Sequence, residues 1–351
     1  MLVFSLTASS CPIGGKARCG QTRHLRPTRQ DLRHRPRLRA DPHPGRRDAQ
    51  RAALLLDRPH GLALHGALNS GGLLRVPGAF NPLSAKLIQD TGFDGVYISG
   101  AVLSADLALP DIGLTTLTEV AGRTQQIARV TDLPVLVDAD TGFGEPMNVA
   151  RTVQTLEDTG AAGCHIEDQV NPKRCGHLDG KSVVGAGEMT RRIAAAVQAR
   201  RDENFVLCAR TDARALEGLD AAIDRARAYV DAGADMVFPE ALADEAEFER
   251  FHAAVDVPLL ANMTEFGKSP LLGADTLERL GYNVVIYPVS LLRLAMHAAE
   301  EGLRLIRAEG TQEALLDRMQ HRSRLYELLD YADYNTFDDN VFNFTEPGRK
   351  R

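Results

Sequence analysis

No apolar run in this chain approaches the roughly 18 uncharged residues that a membrane-crossing helix needs, so nothing in it is expected to span a bilayer. No secretory leader is expected either, because the apolar stretch from Val3 to Leu6 is short and no small-residue cleavage site follows it, a transit peptide being the weaker alternative. Cysteine is scarce and unordered. Cys11, Cys19, Cys164, Cys175 and Cys208 lack framework spacing, which counts against a disulfide scaffold and points to a reducing, cytoplasmic location. Cys11 and Cys19 do not have the spacing of a zinc pair, and Cys164 and Cys208 lie in apolar runs as expected core residues. No G-x-G-x-x-G turn and no P-loop follows any strand-like run, which counts against a dinucleotide or nucleoside triphosphate site.

What is present divides in two. The 351 residues are 44% hydrophobic, enough for one large core. The net charge of −6 is unevenly spread: residues 1–58 carry 13 Lys and Arg against 4 Asp and Glu, leaving −15 for the rest. The first stretch, rich in Arg, Pro and His, holds no sustained apolar period, so residues 1–60 are expected to be a basic, disordered extension. Its arginines lack the interleaved aromatics that stack on bases, which argues against nucleic acid as a partner. Residues 61–351 are expected to form the folded domain, with a C-terminal helical segment at about 311–351 that reads as one further helix from Arg318 to Phe344.

From about Leu73 onward, short β-rich runs alternate with amphipathic stretches of helical period. The strand-like runs are Arg75 to Ala79, Gly95 to Ser99, Pro134 to Asp138, Gly163 to Glu167, Phe205 to Thr211, Met236 to Glu240, Pro258 to Asn262 and Val284 to Pro288. Between them lie helical stretches such as Ala150 to Thr159, Glu188 to Arg201, Leu219 to Ala232 and Asp244 to Ala254, with Gly160 and Gly233 at helix ends. Eight such units predict an α/β fold of the (β/α)8 TIM-barrel type, whose chemistry gathers at the carboxyl ends of the strands. Those ends carry Ser99, Asp138, Asp140, Glu167, Asp168, Arg210, Asp212, Glu240, Asn262 and Thr264.

Asp138 and Asp140, two residues apart at a strand end, can share a hard cation directly or through water. Mg2+ is the natural choice, with Mn2+ as the alternative, and Glu167 could complete the outer shell. Asp111 adds a further acid from a loop. Lys173-Arg174-Cys175-Gly176-His177 places a thiol beside three basic side chains, a setting expected to lower its pKa and make it reactive. On spacing alone, the same segment also reads as a solvated basic loop.

These two segments resemble a known family. Lys173-Arg174-Cys175-Gly176-His177 is similar to the signature of the isocitrate lyase and phosphoenolpyruvate mutase superfamily in its lyase branch. Val137-Asp138-Ala139-Asp140-Thr141-Gly142-Phe143-Gly144 resembles its metal strand. The likeness continues through Val76-Pro77-Gly78-Ala79-Phe80-Asn81, His165-Ile166-Glu167-Asp168-Gln169, Ala209-Arg210-Thr211-Asp212 and Phe238-Pro239-Glu240-Ala241. The short chain and the Lys-Arg start of the cysteine motif favour members that cleave 2-methylisocitrate, a tricarboxylate, to pyruvate and succinate. Isocitrate and 2,3-dimethylmalate are the alternative substrates. A non-catalytic metabolite- or nucleic-acid-binding protein is the alternative from another class.

The resemblance implies Cys175 as the acid that protonates the succinate carbanion, His177 as the group that orients or reprotonates it, and Tyr97 as the base. It implies Ser99, Gly100 and Ala101 as backbone donors to the pyruvate half, although Ala101 stands where a second glycine is common. Substrate contacts are further expected from Cys175, Gly176, Arg210, Glu240, Asn262, Thr264, Arg293 and Arg322, the guanidinium groups clamping carboxylates in bidentate fashion. The metal set is Asp138, Asp140, Asp111 and Glu167. Family members exchange C-terminal helices within a tetramer, so a homotetramer is expected.

Overall fold

The computed structural model describes residues 60–342. The basic extension, Cys11 and Cys19 lie outside the described residues. An opening helix, His60–Asn69, leads into eight strands: β1 Leu74–Pro77, β2 Val96–Ile98, β3 Val135–Asp138, β4 Gly163–Glu167, β5 Val206–Thr211, β6 Met236–Pro239, β7 Leu260–Asn262 and β8 Val284–Tyr287. Every strand pairing is parallel. One sheet runs β1-β8-β7 and the other β2-β3-β4-β5-β6. Isolated parallel bridges, Gly78 with Tyr97 and Val237 with Leu259, connect β1 to β2 and β6 to β7. The protein is therefore an α/β fold of parallel strands and intervening helices.

Strands covered on both faces read as continuous apolar runs rather than as alternating ones. All of β3 and β5 is buried. The outer helices are one-sided: in Pro146–Asp158 the buried residues Val149, Thr152, Val153 and Leu156 follow helical spacing. Starts and stops are locally encoded. Pro82–Thr91 begins with Pro at its first turn and a reciprocal cap between Asn81 and Ser84. Gly160 and Gly233 take positive φ just beyond their helices, as C-terminal glycines do.

The core has two parts. Clusters between strands and helices hold, among others, Ile127, Val153, Cys164 and Met189, or Phe248, Phe251 and Tyr282. A separate cluster gathers Val76, Tyr97, Leu136, Val206, Cys208, Met236, Phe238, Leu260, Val284 and Ile286 with Leu64 and Leu68 of the opening helix. Both Cys164 and Cys208 are thus core residues, as their surroundings in the sequence imply.

Each observed strand overlaps its expected run, and β4 matches its bounds. The C-terminal segment differs. Instead of one helix from Arg318 to Phe344, there is a 3-10 turn, Glu313–Arg318, then Arg322–Leu328 and Tyr331–Phe342, broken where Asp330 takes a φ of 54°. Before them, Ser290–Glu309 is a 20-residue helix with no buried residue. Among the described residues, no helix is long and apolar enough to cross a membrane.

Gly78 sits where the two sheets meet. Its N–H donates to the Tyr287 carbonyl at 2.9 Å, and a Cβ there would overlap the Pro288 carbonyl. Gly78→Ala is therefore expected to destabilise the fold by about 2–3 kcal/mol through overpacking. A denaturation midpoint equal to that of the parent protein would contradict this.

Candidate active site

The carboxyl ends of β3 and β4 collect acids. Asp138 Oδ2 accepts the Gly100 N–H at 3.0 Å, and Asp138 Oδ1 accepts the Asp140 N–H at 3.0 Å. A Cβ at position 100 would press tightly on both aspartates, which would have to give way by a few tenths of an ångström. This assigns the Gly100 N–H to Asp138, in place of the free donor expected for substrate. Ser99 is buried and Ala101 half-buried at the start of the same helix, Gly100–Asp106. Burial opposes ionisation of Asp138, but His165, Lys173, Arg210 and the Asp140 N–H outweigh it and bring its pKa to about 2. For Asp140 burial prevails over Lys173 and raises the pKa to about 6.

Lys173 holds this corner together. Its buried ammonium lies 2.5 Å from Asp111 Oδ1 and 2.8 Å from Asp140 Oδ1. The lysine thus occupies the position of a cation among acids expected to bind one. Glu167 is fully buried, and neither of its carboxylate oxygens has a hydrogen-bond partner. Among the described residues, no group of three or more His, Cys, Asp or Glu side chains forms a ready-made metal cage. That is compatible with Mg2+, which binds through one or two carboxylates and keeps several waters. The Glu167 oxygens, which lack a hydrogen bond, and the Asp140 carboxylate beside an ammonium are suitable donors for such an ion.

Beneath the acids lies a neutral layer. The Tyr97 hydroxyl and His165 Nε2 are 2.7 Å apart, and that nitrogen is 3.6 Å from Asp138 Oδ1. Burial lowers the His165 pKa to about 4, and burial with Asp138 nearby raises the Tyr97 pKa well above its ordinary value. Tyr97, expected as the base, is thus buried with its hydroxyl against His165, surroundings that favour the protonated phenol.

Arg210, from β5, is the hub of the opposite side. Its guanidinium lies 2.9 Å from Asp212, 3.3 Å from Glu167 and 3.2 Å from Glu240, with the Phe238 ring beneath it. Burial disfavours the ionised form of Glu240, yet Arg210 and His177 hold its pKa below the usual range. His177 Nε2 is 2.8 Å from Glu240 Oε1, while His177 Nδ1 accepts the Lys268 backbone N–H at 2.9 Å. The acceptor role of Nδ1 puts the proton on Nε2, so the geometry defines one neutral tautomer. Asn262 reaches Glu240 at 3.3 Å and His177 at 3.4 Å, and its Oδ1 has no partner.

Cys175 departs from expectation. Its pKa is raised, because burial outweighs the His177 backbone N–H and Arg210. The basic neighbours in sequence are engaged elsewhere: Lys173 with Asp111 and Asp140, Arg174 with the carbonyls of Pro172 and Lys173, and His177 with Glu240. These surroundings favour the thiol over a low-pKa thiolate. Gly176 is pressed so close to Arg210 and Glu240 that no Cβ could stand there.

Three expected substrate contacts are not drawn into this cluster. Thr264 is half-buried beyond β7. Arg293 is exposed, bonding the Glu265 carbonyl at 3.1 Å and lying over Phe266. Arg322 is exposed at the start of a helix that packs on Pro82–Thr91 through Arg324 with Asp90 and Lys86 with Asp330. Conversely, His165, Lys173 and Lys181 join the cluster although their side chains were not among the expected site residues. His165 looked like part of an apolar strand, and the lysines like loop charge.

A family profile described as phosphoenolpyruvate phosphomutase matches residues 64–307. A protein of Corynebacterium glutamicum named probable 2-methylisocitrate lyase 2 is 68% identical over 82% of this chain and 94% of its own. The 2-methylisocitrate lyase of Escherichia coli is 48% identical over 80% of this chain and 96% of its own. Among solved structures, an oxaloacetate acetylhydrolase bound to 3,3-difluorooxalacetate superposes with a TM-score of 0.77 at 34% identity, covering 82% of this chain and 98% of that one. A 2,3-dimethylmalate lyase does so with a TM-score of 0.76 at 32% identity, covering 83% and 98%.

The buried thiol sets a measurable expectation. The pH profile of Cys175 alkylation in the ligand-free protein should place its half-point above the ordinary thiol value. A half-point below about 7, the range of thiols activated by nearby cations, would contradict the assignment.

Proposed function

We infer that this chain, which belongs to the phosphoenolpyruvate phosphomutase family, is a lyase that cleaves 2-methylisocitrate to pyruvate and succinate. The observation that carries the substrate is the 68% identity, across 82% of the chain, to a protein of that name. Cleavage passes the hydroxyl proton to a basic group of the site, breaks the bond between the hydroxyl-bearing carbon and its neighbour, and leaves the electron pair beside a carboxylate of the succinate half. Cys175 is assigned to return a proton to that carbon, a role that needs a thiol with its proton in place. The His177 backbone N–H and Arg210 favour the thiolate left behind. His177, neutral and fixed between Glu240 and Lys268, orients the loop that carries the thiol.

Arg210 is assigned to a substrate carboxylate, exchanging one of its acidic partners for it, with Asn262 Oδ1 and Nδ2 as further polar contacts. Ser99, Gly100 and Ala101 border the pyruvate end. Tyr97 and His165 support Asp138 as an uncharged pair. Mg2+, or Mn2+, held by Asp138 and Asp140 with Glu167 and Asp111 around it, would supply positive charge to the substrate's hydroxyl and carboxylate oxygens.

We also propose that the eight strands close into a (β/α)8 barrel. The two bridges between the sheets and the interior cluster fed by β1, β2, β3, β5, β6, β7 and β8 support this closure. The domain then comprises residues 61–351. A cytoplasmic location belongs to the same reading, supported by the free state of Cys164, Cys175 and Cys208. A homotetramer that exchanges C-terminal helices would cover Leu294, Met296 and Leu303 on Ser290–Glu309 and bring Arg293 and Arg322 near a site.

Product release from 2-methylisocitrate and from isocitrate, each with Mg2+ and with EDTA, tests the reading. Metal-dependent pyruvate at least about a hundredfold above glyoxylate is expected, a margin within what pocket contacts supply; dominant glyoxylate, or turnover of 2,3-dimethylmalate alone, would overturn it. Gel filtration of the full chain should give a tetramer, and elution as a 38.2 kDa monomer at micromolar concentration would refute the assembly.

A further inference from the structure

The loop that bears Cys175 is a flap with a hydrogen-bonded stem. Gln169 pairs with Val183 in an antiparallel bridge, the Val170 N–H donates to Ser182 O at 2.8 Å, and the Val184 N–H donates to Asp168 O at 2.8 Å. On the outgoing limb, Gln169 grips both backbone groups of Arg174, its Nε2 donating to the carbonyl at 2.8 Å and its Oε1 accepting the N–H at 2.9 Å. Of the next limb residues, Cys175 accepts the Leu178 N–H within the loop at 2.9 Å, and Gly176 has one tie to the returning limb. It comes from Lys181 on the returning limb, whose Nζ donates to the Gly176 carbonyl at 2.5 Å and to Asp212 Oδ1 at 2.7 Å.

From this geometry we propose that Lys181 is a positioning residue that pins the backbone between Cys175 and His177 down onto the end of β5, holding the thiol over Arg210 and Glu240. The proposal rests on the role of Cys175 given above. The ammonium is almost wholly buried, with 1% of its side chain exposed, so it is committed to these two acceptors and cannot be a solvated surface charge. Asp212 is itself fixed, receiving the Arg210 guanidinium on one side and donating its own backbone N–H to Asp168 on the other. One end of the tie is therefore rigid and the other is the flap. Losing the charge-assisted bond to the Gly176 carbonyl should favour the lifted flap by about 10- to 100-fold.

The test uses the full chain with Lys181→Met, which keeps the length and removes the charge, and Lys181→Gln, which keeps one donor. Iodoacetamide labelling of Cys175, followed peptide by peptide without substrate, reports flap lifting, while buried Cys164 and Cys208 report unfolding in the same sample. The expected result is Cys175 labelling about tenfold faster or more in the Met variant, less in the Gln variant, with Cys164 and Cys208 unchanged. In the same variants kcat should fall about 10- to 100-fold, as misplacement of a reacting group by about 1 Å does. Unchanged Cys175 labelling in a folded variant would overturn the proposal. So would failure of both variants to fold, which would make Lys181 a stability element. Because labelling needs no substrate, a parent protein that cleaves no 2-methylisocitrate would defeat the functional reading without deciding this one.

Discussion

The site depends on the balance of buried charge. Asp138, Asp140, Glu167, Asp168, Asp212 and Glu240 are all buried, and each would cost several kcal/mol if left ionised without partners. The buried cations set against them are few: Lys173, Lys181 and Arg210, with Arg225 behind. Lys173 joins the Cys175 loop to Asp140, Lys181 joins it to Asp212, and Arg210 joins Asp212, Glu167 and Glu240. The loop is thus held by the charges that the acids require. Its position and the electrostatics of the strand ends are one problem rather than two.

A second consequence concerns the thiol. A cysteine flanked in sequence by Lys173, Arg174 and His177 looks activated, yet the acids of the site claim two of those side chains and the local backbone claims the third. With the cations engaged elsewhere, burial is the largest influence on Cys175 and favours the protonated thiol. That competition is what the proposed role of Cys175 as proton donor rests on. His177 completes the arrangement, since Glu240 at Nε2 and the Lys268 N–H at Nδ1 fix its ring from both sides.

The strands and their acidic ends were legible because both follow local rules: apolar runs of strand length, helices of one-sided period, and a carboxylate placed where each strand stops. Asp138, Asp140, Glu167, Arg210 and Glu240 converge as their positions implied. What was not legible depends on pairing across distance. Nothing near Lys181 in sequence names Asp212, 31 positions away, as its partner. His165 sits inside an apolar run and is indistinguishable there from a core histidine. The C-terminal break at Asp330 turns on one backbone conformation that the helical period does not encode.

The layer formed by Tyr97, His165 and Phe238 explains how so many charges can sit directly above an apolar core. Tyr97 and His165 stack with their centroids 5.8 Å apart, the Phe238 ring meets His165 edge-on, and Arg210 rests over Phe238. Each ring has an apolar body for the cluster beneath, while the hydroxyl, the imidazole nitrogen and the ring face meet the polar groups above. A charged side chain in that layer would lie deep in low dielectric with no water to relax around it. A purely aliphatic one would leave Asp138 Oδ1 without the polar neighbour it has at 3.6 Å. Neutral polar rings satisfy both requirements, which is why His165 is held unprotonated and Tyr97 undissociated in the same place.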